Sequence, residues 1–404
     1  MGEGMKNAKK IIFIFLASVL FISCVFLQVL YLHKYCLENE DFYQDYYAAK
    51  LLKNDKIIYD GINHHVPLIA VIFLPLTLLE KEEAFFLWGI FSIVLYYFCI
   101  WIVARKIRLR LRLWWIPVLG LMSVWFPFLS HLALGQWSLV IAASIFVGWA
   151  LLKNDYNRFA GSLFGFATAL KLFPGLIGLY LLMQRRWRAL IYMLIIFFVF
   201  TTISYLVVGS ENFWAFVFDD MPKNKDRFIA YFINHSMWAM VQRLFVNNIW
   251  LVPLIHAPEI AKIFSIFLSI FIIFSLILGL SKLEEDNERD IGFSVICVSM
   301  LLLCPLTWGH SFVILILPIG VLLKEIWNNP TPGLKIGFTI ALILLAIPDI
   351  PWARFLINLF IENQYVMPSW LLAIGLMLPA ISLWVLLIML LSRLPKFSPI
   401  RIKK

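Results

Sequence analysis

An all-α polytopic membrane protein is the fold class this sequence predicts, and three observations predict it. Of 404 residues, 62% are hydrophobic and only 14% charged, with a mean hydropathy of +0.88, a balance that soluble globular domains do not show. Apolar runs of about 20 residues, the length that carries a helix through ~30 Å of hydrocarbon, follow one another along almost the whole chain. When those runs are threaded alternately, 22 of the 34 Lys and Arg fall on one side, which is the asymmetry of a positive cytoplasmic face. The formal charge of +10 therefore predicts anionic lipid headgroups rather than nucleic acid as its partner. Five cysteines without paired or CxxC spacing predict neither a disulfide framework nor a zinc site.

The elements follow in order within one domain, residues 1–404. Residues 11–32 are too long and lack the small-residue cleavage site of a signal peptide, so they predict a retained first span, held at its start by Lys6, Lys9 and Lys10. Residues 33–83 form a first outer loop. Within it, "HHVPLIAVIFLPLTLLEKEE" from His64 is too short to cross and predicts a re-entrant or surface helix. Further spans are expected near residues 84–104, 113–130, 136–152, 188–209, 259–280, 291–307, 311–326, 334–349 and 369–392. Residues 210–258 make a large outer loop and residues 393–404 a basic cytoplasmic tail. "RKIRLRLR", Arg105 to Arg112, is a cytoplasmic anchor. "AGSLFGFATALKLFPGLIGLYLLMQRRWR" fits no single span, because it would bury Lys171 at mid-depth and deliver Arg185, Arg186 and Arg188 outside. Pro174 cannot continue a helix, so this stretch predicts a broken pair that rises to a turn at Lys171 and returns. With short broken helices counted, about 10 to 13 transmembrane helices result, both termini cytoplasmic.

The polar outliers gather on the outer side, all seven histidines among them. Asp41 and Asp45 share one face if 41–52 is helical, and acids there either cap the helix or do chemistry. Tyr43, Tyr46, Tyr47 and Tyr59 suit an interfacial belt or a sugar-stacking wall. His64 and His65 are adjacent, and adjacent side chains rarely converge on one ion. Gln136 of "LGQWS" caps a helix or reads a hydroxyl. Lys171 meets an anion or snorkels. In "NHSMWAMVQRLF", beside Asn234, His235 and Ser236, Arg243 binds phosphate or pairs with Asp219, Asp220 or Asp226. His310 of "CPLTWGHSF" is an interface residue or a further donor.

In this order the segments "DFYQDYYAAKLL", "VPLIAVIFLPLTLL", "GQWSLVIAA", "GSLFGFATALKLFPGLIGLYLL", "NHSMWAMVQRL" and "PLTWGHSFVILILPI" resemble glycosyltransferase family 87, from about Asp41 to Pro318. "ALKLFP" and "PLTWGHSF" are the most specific pieces. The resemblance implies a GT-C type fold whose first outer loop carries the catalytic aspartate, and the matching position is Asp41. It also implies a polyprenyl-phosphate sugar donor, with mannose as the sugar. The sequence departs from the family pattern at Asp45, where an aromatic or apolar residue is usual, and at His64 and His65, where a tyrosine and prolines often stand.

Chemistry gives these residues roles. A hydroxyl attacking an anomeric carbon needs a carboxylate to take its proton, which is Asp41. The leaving lipid phosphate needs fixed cations or donors, and Lys171, Arg243 and His310 are available. Asp45, Tyr46, Tyr47, His64, Gln136, Asn234 and Ser236 are left to hold the sugar or the acceptor. The acceptor is expected to be a glycolipid or glycan, the reaction inverting, and the site on the outer face of the plasma membrane. No metal and no cofactor is required. The rivals are a lipid-linked sugar flippase, a metal-dependent transferase of the same fold in which Asp41, Asp45 and histidines hold the ion, and a non-catalytic scaffold.

Overall fold

Helices are what a chain this apolar must form, since only internal hydrogen bonding satisfies a backbone surrounded by hydrocarbon. The computed structural model describes residues 2–35, 40–54, 56–59, 65–109, 115–247, 253, 255–281, 283–362, 369–395 and 397, and every regular element among them is helical. The order is α1 Gly2–Tyr35, α2 Glu40–Lys53, α3 Pro67–Phe73, α4 Lys81–Lys106, α5 Trp115–Ser123 and α6 Phe126–Leu134. Then come α7 Ser138–Leu152, α8 Asn157–Leu170, α9 Ile177–Met183, α10 Trp187–Ala215, α11 Met221–Phe228 and α12 Met237–Phe245. The chain ends with α13 Pro258–Leu280, α14 Asp286–Leu303, α15 Ile316–Asn328, α16 Pro332–Leu345, α17 Asp349–Glu362 and α18 Ser369–Leu391.

Among the described residues six helical stretches are long and apolar enough to cross a membrane: Ile11–Tyr35, Lys81–Lys106, Trp187–Phe228, Pro258–Leu280, Gly309–Asn328 and Leu372–Leu391. A seventh results if α16 and α17, bent by 78° across the Pro348 break, count as one. The remaining stretches of the ten expected form helices that are shorter, less apolar or bent, and in one of them a proline makes the cut. Residues 113–130 do not form one span: Pro127 opens a new helix, leaving α5 and α6 with nine residues each. The 188–209 stretch does end where expected, because Gly209 takes φ 81 and interrupts α10. After α2, α3 runs only seven residues before a 3-10 turn, Leu74–Leu78, and packs on α2 and α10.

The broken pair around Lys171 follows from register. Gly161 of α8 lies against the Ala189 backbone of α10, and Gly165 lies against Met193 one turn further, so α8 and α10 run parallel. Two successive parallel helices need a return stroke, and the 3-10 turn Phe173–Leu176 with α9 supplies it, ending where Arg186 pairs with Asp155 beside the start of α8.

The bundle therefore has two chemically distinct ends. At one, Lys153 bonds both Asp290 oxygens at 2.6 and 2.7 Å, Gln184 donates to the Leu280 carbonyl, and Arg393 donates to Thr331. The opposite end collects α2, the α6–α7 turn, Lys171, the 228–236 loop and the start of the 3-10 segment Gly309–Leu315.

Candidate active site

Phe42 sets the geometry. Its ring is fully buried between Phe73 and Phe85, each 5.3 Å away, and this fixes the rotation of α2 about its axis. The α6–α7 turn comes up against it through Gly135, whose φ of 62 favours glycine and whose added Cβ would stand 2.8 Å from the Phe42 Cβ. Trp88 locks the turn by donating to the Gly135 carbonyl at 2.9 Å. The two residues after the glycine then face the two aspartates. Gln136 Nε2 donates to Asp41 Oδ2 at 2.6 Å, and Trp137 Nε1 donates to Asp45 Oδ2 at 3.0 Å.

The two carboxylates are not equivalent. Asp45 is 1% exposed, and its Oδ1 contacts His65 Nδ1 at 2.6 Å, so both oxygens have partners. Asp41 is half-buried, and its Oδ1 has no hydrogen-bond partner among the described residues. Burial pushes the Asp41 carboxyl above the usual carboxylate range; His65, Gln136 and Lys171 pull against that rise and Asp45 adds to it. Burial opposes charge on His65, but the Asp45 carboxylate outweighs it and holds the imidazole above its ordinary value.

Lys171 stands at the break after α8 in extended backbone, half-buried, with no hydrogen bond or ion pair to any described residue. It is close enough for its charge to act on Asp41, His65, His131 and His310. His310 is buried, with Nδ1 2.8 Å from Ser138 Oγ. His131 is fully buried, with Nε2 3.2 Å from Ser92 Oγ and Nδ1 unbonded, and Gln136 Oε1 is likewise buried without a partner. An open carboxylate oxygen, an ammonium unpaired among the described residues and orphaned polar atoms thus lie within electrostatic reach of one another, an arrangement able to receive a polar, anionic ligand.

Residues 63–305 match the family profile described as Glycosyltransferase family 87. The chain belongs to that family. Two curated proteins match as well. One, from Mycolicibacterium smegmatis, is 27% identical over 70% of this chain and 66% of its own length. The other, from Mycobacterium tuberculosis, is 24% identical over 71% of this chain and 63% of its own length. Both carry the name polyprenol-phosphate-mannose-dependent alpha-(1-2)-phosphatidylinositol pentamannoside mannosyltransferase. The chain spans just under two thirds of the length of each of these relatives. No solved structure matches.

Not every residue expected at the site of this family 87 chain is free to act there. Arg243 is fully buried, and its guanidinium donates to the carbonyls of Ala239 at 3.2 Å, Phe232 at 3.2 Å and Leu376 at 3.3 Å, and to that of Asn234. It neither pairs with Asp219, Asp220 or Asp226 nor opens to a phosphate; it ties α12 to α18. The Asn234 amide donates to Phe228, Ile229 and Pro305 carbonyls and accepts from the Ser236 and Thr307 amides, so it staples the 228–236 loop to the 305–307 turn. Ser236 caps α12, accepting from Ala239 N at 3.0 Å and donating to the Pro305 carbonyl. Tyr46 donates to the Leu79 carbonyl at 2.8 Å, and Tyr47 sits on the exposed side of α2, away from Asp41. His64 lies outside the described residues.

Three further residues carry no distinguishing mark in the sequence. Trp137 stands inside "LGQWS", yet only its glutamine reads as polar. His131 looks like one more outer histidine. Asp349 falls at the end of an expected span; it is 5% exposed, its Oδ2 lies 3.3 Å from His235 Nε2, and a Cβ at Gly309 would collide with that oxygen. Among the described residues no three His, Cys, Asp or Glu side chains converge as a metal site.

Proposed function

We propose that this chain is an inverting membrane hexosyltransferase that moves mannose from a polyprenyl-phosphate donor to a glycolipid or glycan acceptor on the extracytoplasmic face. The juxtaposition of the open Asp41 Oδ1 with the unpartnered Lys171 carries this reading, because it offers a proton acceptor and a cation to one substrate. Family membership and the names of the two relatives support the donor class. The arginines and lysines clustered at the opposite end of the bundle support an outward-facing site.

In the proposed reaction an acceptor hydroxyl oxygen attacks the anomeric carbon from the face opposite the phosphate. Its proton passes to Asp41, the new glycosidic bond forms, and the carbon–oxygen bond to phosphate breaks with its electron pair remaining on the phosphate. A single displacement turns a β-linked donor into an α-linked product. Gln136 holds Asp41 in register. Lys171 faces the phosphate as charge grows on it, with His310 beside it, while Arg243 stays out of contact.

Purified protein in liposomes, given radiolabelled polyprenyl-phosphate mannose and a mixed glycolipid extract, tests this. Wild type is expected to transfer label with or without chelator, and Asp41→Asn to abolish transfer. Undiminished transfer by Asp41→Asn refutes the assignment, and loss of transfer on chelation favours the metal-dependent rival.

A further inference from the structure

Asp45 and His65 are in contact with each other at 2.6 Å. A carboxylate that is 1% exposed and an imidazole with its ring nitrogen on that carboxylate form a charge-assisted pair rather than two incidental polar residues. Two further hydrogen bonds brace the pair. Trp137 donates to the second Asp45 oxygen, and Tyr59 donates to the His65 carbonyl at 2.6 Å. Asp45 is one helical turn from Asp41, so the couple and the proposed base lie along one face of α2.

We propose that Asp45 and His65 are positioning residues that keep Asp41 ionised in its half-buried setting. This rests on Asp41 being the base of the transfer. Asp45 and the imidazolium cancel each other, so the couple adds no net charge to the apolar surroundings. Its positive member acts on Asp41 more strongly than its negative member does, and this supports the orientation the proposal needs. The other titratable groups facing the couple among the described residues are Lys171 at the end of α8, His310 of the 3-10 segment and Tyr59 before α3. Lys171 opposes protonation of His65, and Asp41 favours it.

The sign follows directly. A base works only when ionised, and burial raises Asp41, so transfer is lost as pH falls through a value above the usual carboxylate range. His65→Gln removes the compensating charge and leaves Asp45 as a bare like charge, so the acid limb moves to higher pH by about one unit, a roughly tenfold loss at a fixed pH below the limb. The alkaline plateau stays within about threefold of wild type, as expected for a change in protonation alone. Adding Asp45→Asn to His65→Gln removes the like charge and moves the limb back by at least half.

The test is the pH profile of mannose transfer in liposomes for wild type, Asp41→Asn, His65→Gln and the double variant. A structural role alone makes the double variant no better than the single at any pH. The proposal is overturned by that result, or by a His65→Gln limb that does not move, or by a loss at every pH that Asp45→Asn fails to relieve. Transfer surviving in Asp41→Asn would instead sink the base assignment on which the proposal stands, so the two failures are told apart.

Discussion

Substituting Lys171 by methionine separates function from stability at one position. The side chain keeps all but its last atom's length and loses its charge. Because the ammonium has no hydrogen bond or ion pair to a described residue, its removal orphans none of them. A buried or half-buried cation without a partner is unfavourable, so the variant is expected to melt at the wild-type temperature or above it. Transfer responds in the opposite direction. An ammonium about 4 Å from one unit of negative charge, at an effective dielectric of about 20, contributes roughly 4 kcal/mol. A phosphodiester donor already carries one negative charge, and the leaving phosphate gains a second as the bond breaks, so the effect divides between binding and the chemical step. Taken in full, that corresponds to a fall of about 1000-fold in kcat/KM, of which about 100-fold is expected in kcat, the range seen when a fixed donor to a developing anion is removed. Initial rates against donor concentration, with thermal unfolding measured on the same preparation, provide the check. A Lys171→Met variant with both constants within about threefold of wild type refutes the role of the lysine, whatever its melting temperature.

Two further substitutions test the division between scaffold and site. Arg243→Met leaves the carbonyls of Phe232, Asn234 and Leu376 without their donor and is expected to lower stability by about 3 kcal/mol in thermal unfolding; a normally folded variant with only a raised donor KM would return Arg243 to the phosphate. Asp290→Asn strands the Lys153 ammonium at the opposite end of the bundle and is expected to cost about 2–4 kcal/mol, with Lys153→Met in the same chain recovering most of it and kcat unchanged in both.

Legibility in the sequence tracks the range of the interaction that decides each feature. Composition and charge asymmetry are summed over the chain, so the all-helical membrane class was readable. The break at Lys171 was readable too, because a proline and three arginines within fifteen residues act locally. The number of spans was not: whether a 14-residue apolar helix such as α8 crosses or sits buried between neighbours depends on its packing against α10, which no local pattern encodes. The same limit governs the site. Asp41 and Asp45 look alike in sequence, and only Gln136, Trp137 and His65, brought from 20 to 95 positions away, make one open and the other closed. Arg243 looked available for the complementary reason. Its partners are backbone carbonyls, which every residue has and no sequence pattern marks.

The two lysines at the mouths of neighbouring helices make the case for where chemistry belongs in this molecule. Lys153 and Lys171 bracket α8, and both face the protein interior. Lys153 has Asp290 against it, with the Trp149 indole donating to the same carboxylate, and needs nothing from outside the chain. Lys171 has acids within electrostatic reach, but Asp45 is held by His65 and Trp137, and Asp41 by Gln136, so neither carboxylate is drawn into contact with it. A fold able to neutralise one such lysine 18 positions away had the means to neutralise the other. Leaving Lys171 without a partner among the described residues while holding both nearby aspartates in place is what the proposed anionic ligand requires, and a lysine kept only for packing would gain from the contact that this arrangement withholds.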